Sequence, residues 1–240
     1  MTRRVRIIGT GRAGGAFAGA LAASGWDVDG PIGRDGIAAS ASGVDLVLIC
    51  VADPAVAEVS SAIEPDPATV VAHCAGSLGL DVLGSHDRVA AIHPLVSLPT
   101  PEVGAVRLRE SAWFAIAGDD IAVEVVDALG GRAFSVADRH RTEYHAAACI
   151  AANHLVALLG QVERIGAVAG VPFAAYLDLV RGAVANVAEL GPAAALTGPA
   201  ARGDEATIAR HLEAIDPSER PAYRALADQA RRLASVDGKD

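Results

Sequence analysis

Val5-Arg6-Ile7-Ile8 runs straight into Gly9-Thr10-Gly11-Arg12-Ala13-Gly14, and no other stretch constrains the fold as tightly. A short apolar run reads as a buried parallel strand, and here it feeds a GxGxxG loop. The segment from Ala16 to Ala23 follows with small, helix-compatible residues. In this order Gly9 permits the tight turn, Gly11 lets backbone approach a pyrophosphate, and Gly14 lets helix and strand pack closely. The helix N-terminus then turns free N–H groups and the positive end of its dipole toward phosphates. The combination predicts a dinucleotide site built from Gly9, Thr10, Gly11, Arg12, Ala13 and Gly14.

Further strands are expected at Trp26 to Gly33, Val44 to Val51, Thr69 to His73, Val89 to His93 and Trp113 to Ala117. Their alternation with helical segments predicts an α/β fold with a Rossmann-type, doubly wound parallel sheet. Asp53-Pro54 reads as an N-cap with proline at the first helical position. From about Arg139 the pattern turns helical: Arg141 to Ala169 is rich in alanine and leucine, Pro172 and Pro221 can start helices, and Asp204 can cap one. The expected division is a dinucleotide-binding domain over 1–137 and an all-helical domain for substrate and dimerisation over 138–240.

The formal net charge of −9, without a basic run, speaks against nucleic acid as a partner. Arg3 and Arg4 are basic, but the apolar stretch behind them stops at Gly9, too short for a signal peptide. No segment reaches the ~18 uninterrupted apolar residues of a membrane span. The expectation is therefore a cytoplasmic protein with no membrane partner. Cys50, Cys74 and Cys149, odd in number and set among apolar residues, read as reduced core residues, and no metal site is expected. The only lysine is Lys239, against 19 arginines, which nearly excludes a lysine general acid or Schiff base.

Arg34 stands 25 residues beyond Gly9, at the end of the second strand. A carboxylate there suits the ribose 2′-hydroxyl of NAD, whereas arginine suits a 2′-phosphate, so NADP is expected, with NAD left open by the neighbouring Asp35. Val51 and Ala52, at the end of the third strand, complete the expected cofactor contacts. His73 and His93 stand at strand ends facing the nicotinamide side, where a proton donor with pKa near neutrality is needed. A strand-end histidine held by a backbone carbonyl is the structural alternative. In the helical half comes Tyr144-His145, and His145 and Asn153, eight residues apart, share one broad face. Thr197 to Asp204 joins two helices, and its Arg202 can pair bidentately with a substrate carboxylate.

These segments together resemble a bacterial family in which a Rossmann-like domain precedes a helical domain of unassigned function. The resemblance spans the whole chain and rests on Gly9 to Gly14, His73 to Ser77, His93-Pro94-Leu95, Tyr144-His145 with Asn153, and Leu196 to Asp204. The architecture is similar to the 6-phosphogluconate dehydrogenase C-terminal-like superfamily, which includes ketopantoate reductase, pyrroline-5-carboxylate reductase and prephenate dehydrogenase. The resemblance implies a homodimeric, NADP-dependent oxidoreductase reducing a small 2-oxo acid (ketopantoate-like) or a cyclic imine. Hydroxyacid dehydrogenases of that superfamily place a lysine four residues before a helical asparagine. Here Cys149 stands four before Asn153, so that mechanism does not carry over. His93-Pro94 looks like the His-Pro segment of prephenate dehydrogenases, whose histidine handles the hydroxyl proton. On this reading His93 or His145 donates the proton, Asn153 helps orient the substrate, and His73, Thr197 and Arg202 contact it. An inert dinucleotide-binding sensor or assembly protein is the alternative, favoured by the missing lysine chemistry.

Overall fold

The computed structural model describes residues 2–236, so Lys239 lies outside the described residues. The chain divides into two compact units, 1–152 and 153–240. The first contains β1 (Arg4–Ile8), α1 (Arg12–Ala23), β2 (Asp27–Ile32), β3 (Leu46–Ile49), α2 (Val56–Ser61), β4 (Val70–His73), β5 (Val89–Pro94), α3 (Pro101–Leu108), β6 (Trp113–Gly118), α4 (Ile121–Ala128), β7 (Arg132–Ser135) and α5 (Arg141–Cys149). After a π-helical turn, Ile150–His154, come α6 (Leu155–Val168), α7 (Phe173–Leu190), α8 (Pro192–Ala195), α9 (Glu205–Ala214) and α10 (Arg220–Val236). The strands end at Ser135, close to the expected boundary at 137/138. The compact units part later, because α5 packs with the sheet: Arg141 is buried, and Tyr144 meets Phe134 and His93.

The seven strands form one sheet in the order β2-β1-β3-β4-β5-β6-β7. Because β1 lies between β2 and β3, the strand order reverses beside β1, and a crevice opens there at the carboxyl ends. β3 is buried along its whole length and shows why it reads as a continuous apolar run. Leu46 and Leu48 enter the core under α1, α3 and α4, while Val47 and Ile49 enter the core under α2. α1 and α3 lie close together through small residues: a Cβ on Gly104 would come within 2.7 Å of Ala16, and one on Gly15 within 2.8 Å of Pro101.

Two expectations need correcting. The sheet is mostly rather than wholly parallel, because β6 runs antiparallel to β5, with His93 opposite Ala115. The reason lies in the connection, whose ends meet at one end of the sheet: the Leu95 N–H donates to the Trp113 carbonyl at 2.8 Å. The seventh strand, β7, pairs parallel to β6 at the edge and carries no apolar run. Helical starts follow the sequence more closely. Pro172 precedes α7, Pro192 opens α8, and the Asp204 carboxylate accepts the Thr207 N–H at 3.0 Å to cap α9. By length and composition, the helical run Asp138–Val168 is long and apolar enough to cross a membrane. Charged and polar residues, among them Arg141, Glu143, His145 and Asn153, interrupt its apolar sequence.

Candidate functional site

The glycine loop has the shape its spacing demands. Gly9 adopts φ +123°, and a Cβ there would collide with the Cys50 carbonyl at the end of β3. A Cβ on Gly14 would collide with the Gly9 carbonyl, so helix and loop touch backbone to backbone. Gly11 differs, since a Cβ there would meet no protein atom within 4 Å. Thr10, Gly11 and Arg12 are exposed above this closely packed floor. Gly11 is the N-cap of α1, no side chain caps the helix, and its first turn holds no acidic residue. The N-terminal N–H groups and the dipole of a three-turn helix therefore face a space that suits an anion. The Cys50 N–H donates to Ile8 at 2.7 Å, and the Gly9 N–H donates to Ile32 at 2.8 Å. Those bonds hold the ends of β2 and β3 beside the loop. Val51 and Ala52 follow one of them, and exposed Arg34 follows the other. The residues expected to touch a cofactor thus stand at the carboxyl ends of β1, β2 and β3 and at the start of α1.

A second cluster forms at the ends of β4 and β5. The His93 Nδ1 lies 2.6 Å from the Tyr144 hydroxyl, and the two rings meet edge to face. His145, next to Tyr144 on α5, also meets the His93 ring edge to face, with ring centroids 6.1 Å apart. Gly76 fits between them: a Cβ there would approach His93 Nε2 at 2.7 Å and His145 Cδ2 at 2.8 Å. Burial, then the neighbouring His145, depresses the His93 pKa to about 4, so the ring is neutral at pH 7. Burial raises Tyr144 to about 12, so its hydroxyl keeps its proton. His93 is consequently not the donor with near-neutral pKa that its strand-end position suggested. Tyr144 supplies the only proton in that contact that an anion could draw off, while Nδ1 can accept it or, in the other tautomer, donate back to the phenolic oxygen.

His73 takes the structural alternative. It is fully buried, the Ala75 N–H donates to its Nδ1 at 3.2 Å, and its Nε2–H donates to the Gly79 carbonyl at 3.1 Å. Both nitrogens are used, which removes His73 from contact with substrate and ties down the loop carrying Gly76. Asp53 does not cap a helix, because a 3₁₀ turn, Asp53–Ala55, precedes α2. Its carboxylate accepts the Ser77 hydroxyl at 2.5 Å instead. The Asp53–Ser77 contact and buried Arg141 went unassigned at the level of sequence, although Arg141, Tyr144 and His145 repeat at the i, i+3, i+4 spacing of one helix face.

Asn153 is exposed at the start of the second unit, in the π-helical turn. Arg202 is exposed in the turn before α9. Thr197 lines an apolar cavity of about 440 Å³ within the second unit, beside Tyr176 and Tyr223. The three cysteines are free, and among the described residues no cluster of metal ligands occurs.

Residues 113–230 match the model of a domain of unknown function, DUF2520. No curated protein sequence matches the chain. Among solved structures, a candidate NADP oxidoreductase from Bacteroides fragilis superposes with a TM-score of 0.79 at 21% identity, over 96% of this chain and 98% of that one. A reductive aminase from Aspergillus terreus, in complex with NADPH4, cyclohexanone and allyl amine, gives 0.72 at 15% identity over 99% of each chain. Pyrroline carboxylate reductase from Plasmodium falciparum, with NADP bound, gives 0.63 at 13% identity over 97% and 98%. At these identities the likeness establishes the fold: a Rossmann-type sheet followed by a helical region.

Proposed function

We propose that this chain is an NADP-dependent oxidoreductase that reduces a small carbonyl or cyclic imine, with a 2-oxo acid as the carbonyl form. The observation carrying the reading is the open, uncapped helix start above Gly11, set on the packed Gly9–Gly14 contact. The names of the solved neighbours, NADP oxidoreductases among them, support the same chemistry. In this reading Gly9 to Gly14 hold the pyrophosphate, Val51 and Ala52 border the nucleotide, and Arg34 pairs with the 2′-phosphate.

Bound NADPH supplies the hydride. Reduction of a carbonyl leaves an oxygen that must gain a proton, and Tyr144 is the group placed to give it. Giving up that proton creates a phenolate, which the His93 Nδ1–H stabilises across the 2.6 Å contact. Water restores the proton afterwards. His145 orients the substrate from the same helix face, and Gly76 keeps the space between the two rings narrow. Thr197, Arg202 and Asn153 stand in the helical region as further candidates for substrate contact. The second unit is proposed to pair with its copy in a homodimer, because α7 buries none of its residues while Leu179 and Val184 stay well exposed.

Cofactor titration tests the reading. NADPH should bind at least about tenfold more tightly than NADH, a difference of about 1.4 kcal/mol, and Arg34→Ala should erase most of that gap. Equal affinities in the parent protein would remove Arg34 from its role, and no binding of either would end the oxidoreductase reading.

A further inference from the structure

Arg141 opens α5 and is 1% exposed, the largest fully buried side chain among the described residues. Its Nε donates to Asp138 Oδ1 at 3.0 Å, but the Asp138 side chain is itself 59% exposed. Neither Nη1 nor Nη2 has a hydrogen-bond partner, although both are sealed from solvent. A guanidinium cannot shed its charge, and its paired terminal N–H groups are shaped for a carboxylate or phosphate. Buried polar groups almost always find partners, so two orphaned nitrogens on one cation mark a place where an acceptor belongs.

The surroundings indicate which acceptor. Arg141, Tyr144 and His145 share one face of α5, one turn apart. The positive charge of Arg141 reaches His73, His93 and Tyr144, weakening the hold of each on its proton. His73 has committed both nitrogens to backbone, and His93 faces Tyr144. Asp53, whose charge reaches His73 and His93, accepts from Ser77. Among the described residues, no group accepts a hydrogen bond from either terminal nitrogen. A ligand whose reducible carbon lies at Tyr144 would bring a group two or three bonds away toward the guanidinium.

We infer that Arg141 is the carboxylate-binding residue of the site, and that the substrate carries a carboxylate next to the carbon being reduced. The inference deepens the proposed function and gives Arg141, rather than exposed Arg202, the role of clamp. A fork-shaped cation sealed from water would favour carboxylate strongly over a neutral amide of the same shape.

The experiment uses pyrrole-2-carboxylate and pyrrole-2-carboxamide, two unreactive planar probes, titrated calorimetrically into the full-length protein with and without NADPH. The carboxylate should bind at least about tenfold more tightly than the carboxamide, a difference of about 1.4 kcal/mol. Arg141→Met should bring the ratio close to one while NADPH affinity stays within about threefold, because an apolar side chain of similar length can replace a buried, incompletely paired cation without unfolding the protein. Arg141→Lys, which keeps the charge but loses the fork, should retain an intermediate preference and serves if the methionine variant does not fold. Equal binding of the two probes, no binding of either, or a preference that survives Arg141→Met each overturns the inference. If NADPH binds normally in those cases, the oxidoreductase reading stands without the clamp. An Arg141-dependent carboxylate preference without NADPH binding would leave the clamp standing and remove the oxidoreductase.

Discussion

The Tyr144 hydroxyl and the His93 Nδ1, 51 residues apart in sequence, lie 2.6 Å apart between α5 and the end of β5. Their protonation fixes how the reaction responds to pH. His93 stays neutral down to about 4 and Tyr144 stays protonated up to about 12. Turnover should therefore be flat from about pH 5.5 to 9 and fall only as His93 takes a proton at lower pH. A pH–rate profile declining above about 6.5, the range of an ordinary histidine acid, would return the donor role to a histidine.

The same depressed pKa has a consequence for stability. A histidine whose proton affinity is lower in the folded than in the unfolded chain adds stability above its unfolded pKa, near 6.5. That contribution is lost as pH falls through the folded value, about 4. The melting temperature should drop between pH 6.5 and 4, and His93→Gln should drop less over the same interval. An identical acid dependence in both proteins would show that other groups control it.

Removing the donor should separate chemistry from cofactor binding. Tyr144→Phe should lower kcat about 10²–10⁴-fold on any 2-oxo acid or cyclic imine the enzyme reduces, with NADPH affinity nearly unchanged. His93→Ala should also slow turnover, since the phenolate loses its partner. Near-normal turnover by Tyr144→Phe would pass the role to His145.

Two glycines of one loop should behave differently. Gly14→Ala forces a Cβ onto the Gly9 carbonyl and should cost about 1–3 kcal/mol of stability by overpacking. Gly11 has φ −77° and open space around it, so Gly11→Ala should melt like the parent. It should nevertheless weaken NADPH binding at least about tenfold, because its methyl group occupies the path of the phosphates. Unchanged affinity in Gly11→Ala would place the pyrophosphate elsewhere.

Leu179, Val184, Val187 and Leu190 spread over roughly 140° of α7, each at least 44% exposed. A helix so apolar is normally covered. Light scattering should give a dimer at micromolar concentration, and Leu179→Glu should shift it toward monomer. A monomeric parent protein would overturn the pairing.

The glycine loop was legible because strand, turn and helix follow within 20 residues, and each glycine answers a local demand. β7 was not, because Arg132-Ala133-Phe134-Ser135 is an edge strand and needs no apolar run. Nor was the reversal of β6, since orientation depends on where a connection ends rather than on the strand's own residues. At the site, His93 and His145 stood out as titratable groups in apolar settings, and they do come together. Their protonation depends on burial that no spacing encodes. Arg141 looked like any surface arginine, the usual fate of that residue type.

His73 holds the Ala75 amide and the Gly79 carbonyl at once, so the loop between them is pinned at both ends. Gly76, inside that span, sets the gap between two imidazoles by the width of a hydrogen atom. The backbone of β4 and its following loop therefore works as a fixed gauge, while the helix α5 carries the groups that differ in chemistry. Divergence toward a new substrate has little room at position 76 and ample room along the exposed faces of α5. In a lineage of such proteins, selectivity would drift by exchanging helix side chains against an unchanging glycine.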